Sequence, residues 1–251
     1  VVETNTEQGA IYTNSFSVIS SAINNRATKA KEFIYMAEVA DSLARENSML
    51  LQERDNAQFI KTVFKDSLLD LETEQLYTFT SAKVISNSIK LNNNSMTINR
   101  GTNHGVQPGM GVVTAGSNSV VGIVKSSTNN YSRILPVLHS QSSISSSISR
   151  NGHFGGLIWR GGDPTKANLV DIPKHADLKI GDTIQTSGFG TIFPEGIMVG
   201  TIDTFWIQTG TNFYEIKVNL SSDLSKVKYV YVVENLMREE LEELEKEVSN
   251  E

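Results

Sequence analysis

Val106-Gln-Pro-Gly-Met-Gly-Val-Val-Thr-Ala-Gly116 and Leu178-Lys-Ile-Gly-Asp-Thr-Ile-Gln-Thr-Ser-Gly188 align without a gap at an offset of 72 residues. Gly109/Gly181, Thr114/Thr186 and Gly116/Gly188 are identical, and Val112/Ile184 and Ala115/Ser187 are close in kind. Downstream, Val121-Gly-Ile-Val124 matches Val199-Gly-Thr-Ile202 at an offset of 78, so the second copy has gained six residues around Phe189 to Pro194. Upstream, Thr97-Ile-Asn99 and Leu169-Val-Asp171 take equivalent strand positions. One Gly-bounded match could arise by chance. Three in order imply an internal duplication.

The texture around the repeats is that of short antiparallel strands. Ala82–Leu91, Met96–Asn99, Val120–Lys125 and Phe213–Leu220 are β-branched runs between Gly, Asn and Ser clusters. Ser140–Ser149 keeps Ile144 and Ile148 on one face, which suits a strand better than a linker. Pro108-Gly109 reads as a type II turn, because Pro presets φ and Gly takes the positive φ that follows. Pro194-Glu195-Gly196 reads as a type I turn, and Gly105, Gly181 and Gly188 as further turn residues. Two small antiparallel barrels or sandwiches are expected, over residues 78–150 and 151–234, with late strands able to return to the first.

Residues 1–77 read differently. From Phe16 to Leu71 there is no Pro and no Gly, and such a gap in helix breakers favours a long helix. Met36, Leu43, Leu50, Ala57, Phe64 and Leu71 fall at d-type heptad positions; Ala40, Asn47, Arg54, Lys61 and Leu68 fall at a-type positions. This spacing predicts a coiled coil in which Asn47 favours two strands and Arg54 and Lys61 weaken the seam. The competing reading is a single helix lying along the chain's own β-domains. From Met36 to Leu71 a rod would measure about 54 Å, longer than a small domain, which favours the homodimer. The fold class is thus mainly β with a long N-terminal α-helix, and residues 235–251 form an acidic helical tail carrying Leu236, Leu241, Leu244 and Val248.

Composition excludes several functions. The 251 residues contain no cysteine, which rules out disulfides, thiolate catalysis and Cys-ligated metals. Net charge is −6 with no dense Lys/Arg run; Arg26, Lys29 and Lys31 make at most a solvated helix face, so no nucleic-acid partner is expected. No run of 18 apolar residues spans a bilayer. The chain opens Val-Val, and an anchor upstream of Val1 is an expectation.

His104, His139, His153 and His175 show no metal-ligand spacing. Gly181-Asp182-Thr183 lacks a nucleophilic Ser, and Ser187 is Ala115 in the other copy, as a small turn residue would be. Asp203 and Glu215 have no spacing that marks a catalytic pair. No cofactor and no enzymatic reaction are expected.

Thr97-Ile-Asn-Arg-Gly-Thr-Asn-His-Gly-Val-Gln-Pro-Gly-Met110 resembles the first β-region of the MreC family of bacterial rod-shape-determining proteins. So do Gly152-His-Phe-Gly-Gly-Leu-Ile-Trp159, Asp171-Ile-Pro-Lys174, and Gly181 through Gly188 continuing in Ile192-Phe-Pro-Glu-Gly-Ile-Met-Val-Gly200. With Leu43-Ala-Arg-Glu-Asn47, the resemblance covers roughly residues 30 to 220 in order. It implies a single-pass cytoplasmic-membrane protein with a coiled coil and two extracytoplasmic barrels, related to chymotrypsin-like ones without a protease site. It further implies partners in peptidoglycan elongation: a class B penicillin-binding transpeptidase, MreD, RodA and the actin-like MreB.

The alternative is a periplasmic adaptor of an efflux or secretion system, but such adaptors use two helical limbs and this chain has one. The inserted Phe189, Ile192 and Phe193 are the candidate partner-binding residues. Folding back over a barrel end is the commoner fate for such side chains; an exposed interaction patch is the other.

Overall fold

The computed structural model describes residues 39, 42–51, 58–65, 68–207 and 210–248. The described residues divide into two units between Glu46 and Asn47. Residues 42–51 form a helix, α1. The heptad reading carries this helix on to Leu71, but the structure places an antiparallel hairpin there, β1 (Gln58–Lys65) and β2 (Leu68–Gln75), in register from Gln58↔Gln75 to Lys65↔Leu68. Phe59-Ile-Lys-Thr-Val-Phe64 concentrates β-branched and aromatic residues that suit a pleated strand, and Lys61 stands opposite Glu72. Phe64, Leu68 and Leu71 are therefore strand residues, while Met36 and Ala40 lie outside the described residues.

Twelve further strands close two barrels of six. The first barrel comprises β3 (Tyr77–Asn87), β4 (Met96–Ile98), β5 (Gly111–Thr114), β6 (Val120–Ser127), β7 (Ser132–Pro136) and β14 (Tyr229–Asn235). The second comprises β8 (Ser143–Ile148), β9 (Phe154–Ile158), β10 (Lys166–Pro173), β11 (Thr183–Thr186), β12 (Met198–Ile207) and β13 (Phe213–Leu220). Helix α2 (Arg238–Val248) follows β14. The neighbour order β14-β3-β4-β7-β6-β5 has its counterpart in β8-β9-β10-β13-β12-β11. Each half of the duplication thus supplies five consecutive strands to its own barrel and its sixth strand to the other. β8 follows the first barrel in sequence yet belongs to the second, so the division falls before Ser143 and not at residue 150.

The duplication holds at the level of single bonds. Gly109 N–H donates to Val124 O and Gly181 N–H to Ile202 O, both at 2.8 Å. Thr114 Oγ1 accepts from Ser119 N at 3.0 Å, and Thr186 Oγ1 from Ile197 N at 2.9 Å. Gln107 N donates to the Met110 sulfur at 3.3 Å where Lys179 N donates to the Asp182 carboxylate at 2.9 Å.

Upstream the sequence alignment needs a correction of one residue. Ile98 pairs with Ser132 and Leu169 with Ile216, so Ile98 and not Thr97 is the counterpart of Leu169. Both are fully buried. A bulge between Leu169 and Ile172, where Asp171 adopts φ +65, absorbs the extra residue and keeps Ile172 pointing inward.

Alternation fills each interior. Ile144, Ile148, Leu157, Leu169, Ile172, Ile184, Ile202 and Ile216 are buried in the second barrel. Met96, Ile98, Val112, Ile134, Val230 and Val232 form the first core, which Trp159 joins from the β9–β10 connection. The Trp159 indole N–H donates to Asp163 O at 3.3 Å. A residue of the second half thereby completes the core of the first.

Candidate docking face of the second barrel

The six inserted residues lie between Gly188 and Ile197, on the β11–β12 connection. Ser187 Oγ pairs with the Ser145 hydroxyl at 2.7 Å and accepts Phe189 N–H at 3.1 Å, so this hydroxyl fastens the loop to β8. Thr186 Oγ1 donates to Pro194 O at 2.6 Å, and Gly196 N–H donates to Thr186 O at 3.1 Å. Gly188 and Gly196 hold φ +72 and +87.

Held in this way, the three apolar side chains divide. Phe193 is buried and lies on Gly111 of β5, where a built Cβ would stand 2.5 Å from its ring. The counterpart of Gly111 in the second barrel is Thr183, so the first barrel carries a glycine where the inserted Phe193 rests. Ile192 is half-buried and lines the groove beside it. Phe189 is 62% exposed and meets Phe154, 53% exposed, with ring centroids 4.6 Å apart.

Phe154 marks one wall of a shallow groove of about 630 Å³ on the outer face of the second barrel. Ser143, Ser145 and Gly156 form its floor, and Asp171 and Pro173 the far rim. The floor is flat for a sequence reason. Gly155 points inward, where a Cβ would stand 2.0 Å from Val170 O, and Gly156 points outward over Ser143. The rings of His153 and His175 meet edge to face at 5.6 Å at the rim. An exposed aromatic pair beside a flat, small-residue floor suits burial against another protein's side chains. Among the described residues no group of three or more His, Asp or Glu could hold a metal.

The turn residues are placed on both barrels. Gly105, Gly109 and Gly181 adopt φ +78, +88 and +89. Over the first barrel's turn the Arg238 guanidinium of α2 donates to Pro108 O at 3.1 Å and pairs with Glu242. Over the second, Arg150 binds Asp182 and Asp177. The Arg150 hydrogen bond holds the Asp182 carboxyl below its ordinary 3.8. Of the seam residues, Leu43 and Leu50 are 53% and 56% exposed on α1. Asn47 and Leu50 line a cavity with Thr114 and Tyr231 of the first barrel. Burial pushes the Tyr231 hydroxyl above the ordinary phenol value, with the Asn47 side chain working the other way.

The model of the barrel core of the rod shape-determining protein MreC matches residues 84–234, over half of the chain. The chain belongs to the MreC family of cell shape-determining proteins. It is 28% identical to MreC of Bacillus subtilis over 197 residues, 74% of this chain and 66% of that protein, so it spans just under two thirds of that relative. The fold is shared with the MreC structure from Listeria monocytogenes, at 22% identity and TM-score 0.59, covering 82% of this chain and 91% of that one. It is also shared with MreC in a complex with penicillin-binding protein PBP2 from Helicobacter pylori, at 21% identity and TM-score 0.51, covering 64% and 99%.

Sequence reasoning identified the loop carrying Phe189, Ile192 and Phe193 but not its partner Phe154. No local signal in the sequence shows that the β8–β9 hairpin, which carries Phe154, stands beside the inserted loop.

Proposed function

We propose that this chain is a non-enzymatic scaffold of the cell-wall elongation machinery. It sits at the outer side of the cytoplasmic membrane and offers the second barrel to a class B penicillin-binding transpeptidase. The observation that carries this reading is the exposed Phe154–Phe189 pair over the groove floor of Ser143, Ser145 and Gly156. Two half-exposed rings on fastened backbone present apolar area with little ordering cost, as interface anchors do. The family's shape-determining role and the complex with PBP2 formed by a relative support the same partner class.

Self-association is the second part of the proposal. Leu43 and Leu50 stand seven residues apart and both are exposed on α1, which supports helix pairing between two copies. The pairing uses a shorter helical segment than the heptads through Leu71 suggest.

The test uses the whole chain and the purified transpeptidase from the same cell. Exchanging Phe154 and Phe189 together for Ser should weaken capture about tenfold or more and leave thermal unfolding unchanged. Unchanged capture rejects this face as the docking site. Leu43→Asp with Leu50→Asp should shift sedimentation from dimer to monomer; an unaltered sedimentation coefficient rejects pairing through α1.

A further inference from the structure

The end of the β12–β13 hairpin is built unlike the rest of the second barrel. From Thr204 to Tyr214 the chain contains no charged residue, and four of its residues are Phe205, Trp206, Phe213 and Tyr214. Phe205 and Tyr214 pack edge to face at 5.5 Å and brace the hairpin. Trp206, Ile207 and Phe213 project from it, 44%, 50% and 46% exposed. Trp206 stands opposite Glu215 in the ladder, and Phe213 opposite Pro173 at the end of β10.

The carboxylates carried by the two strands are both paired with cations. Glu215 is paired with Arg160, and Asp203 with Lys166. Lys174 and Lys217 are exposed and make no ion pair among the described residues. Lys174 is held at the hairpin end, its N–H donating to Asn212 O at 2.8 Å, and Lys217 pairs in register with Thr204. Asp171 and Asp177 are the exposed carboxylates nearest Lys174, three residues to either side, and Asp177 is paired with Arg150.

We propose that this hairpin end is a membrane-contact element that inserts Trp206, Ile207 and Phe213 into the headgroup boundary of an anionic bilayer, with Lys174 and Lys217 facing the lipid phosphates. Trp206, Ile207 and Phe213 flank the polar stretch Gln208-Thr-Gly-Thr-Asn212 and together offer about 300 Å² of apolar surface. The headgroup boundary of a bilayer takes up a small apolar area of this kind while polar groups beside it stay hydrated, and flanking cations add attraction to it. Aromatic rings with one polar edge are also the side chains that settle at a membrane–water boundary. The proposal is independent of the transpeptidase reading, which rests on Phe154 and Phe189.

The molecule contains its own probe. Of its two tryptophans, Trp159 is buried and Trp206 exposed. The full chain is mixed with vesicles of phosphatidylglycerol and phosphatidylethanolamine, and with vesicles of phosphatidylcholine alone. The expected result with the anionic vesicles is a blue shift of tryptophan emission and its quenching by brominated acyl chains, with little of either on phosphatidylcholine. Ile207→Ser with Phe213→Ser should abolish the quenching while leaving the melting temperature and transpeptidase capture intact. Lys174→Glu should weaken it about threefold or more.

Quenching by lipid distinguishes Trp206 from any other part of the chain that binds vesicles. An emission unchanged by either lipid overturns the proposal. So does quenching that survives Ile207→Ser with Phe213→Ser. Loss of transpeptidase capture in that variant, with no lipid quenching in the parent chain, would assign the hairpin to the protein interface instead.

Discussion

Hairpins β5–β6 and β11–β12 start and end with the same bonds, yet the first turns through Gly116-Ser-Asn118 where the second runs from Gly188 to Gly196. In the short version Thr114 Oγ1 pairs with Ser117 Oγ at 2.8 Å; in the long one Thr186 Oγ1 reaches Pro194 O. The barrels differ likewise at their proline-side or glycine turns, Arg238 of α2 covering one and Arg150 of the β8–β9 turn covering the other. The ladder tolerates little change, because a glycine pressed against a carbonyl leaves no choice of residue. The connections are free to diverge, and the contacts that join the barrels or face outward lie there.

The largest effects should come where the two copies agree. A Cβ on Gly122 would stand 2.2 Å from Leu135 O, and one on Gly200 2.1 Å from Asn219 O. Gly122→Ala and Gly200→Ala should each destabilise by about 3 kcal/mol or more, measured by urea unfolding. A much smaller loss in one barrel would show that the two ladders are not equivalent.

Phe193→Ala comes next. Its ring is buried on Gly111 of the other barrel, so truncation should cost about 3 kcal/mol, and the midpoint of chemical unfolding checks it. A cost below about 1 kcal/mol would mean that the insertion does not hold the barrels together.

Gly109→Ala and Gly181→Ala sharpen the comparison further. Both glycines hold left-handed φ, so each change should cost about 1–2 kcal/mol. At Gly181 the surrounding space is open, whereas at Gly109 the new methyl displaces the Arg238 guanidinium. The first-barrel variant should therefore also loosen α2, seen as faster amide exchange over its helix, and the second should leave that exchange unchanged.

Asp182→Asn gives the smallest effect and a pH signature. Its native carboxyl is held below the ordinary 3.8 by Arg150, so its contribution is present above that value and is lost as pH falls through the lower native value. Melting temperature of the parent chain should fall more steeply below pH 4 than that of Asp182→Asn. Met110→Leu, at the equivalent position, should leave the acid limb unaltered.

The two-barrel architecture was legible in the sequence because a duplicated turn carries its own geometry: Gly109 and Gly181 each take a left-handed φ and donate to the facing strand, and Thr114 and Thr186 each accept a backbone N–H from beyond the turn. The barrel interior was legible for the same kind of reason, since alternation places Ile144 and Ile148 inward from β-period alone. Residues 58–65 and 68–75 are strands despite their heptad spacing, because that spacing is also compatible with strand alternation in a β-branched run. Three features were decided only by tertiary structure. The placing of β8 in the second barrel depends on which edge that strand meets. The one-residue slip at Asp171 is a bulge that leaves no mark in composition. The split of Phe193 inward and Phe189 outward follows from the position of Gly111, some eighty residues away in sequence. Local bonding is written in neighbouring residues, whereas burial depends on which distant surface arrives to cover a side chain.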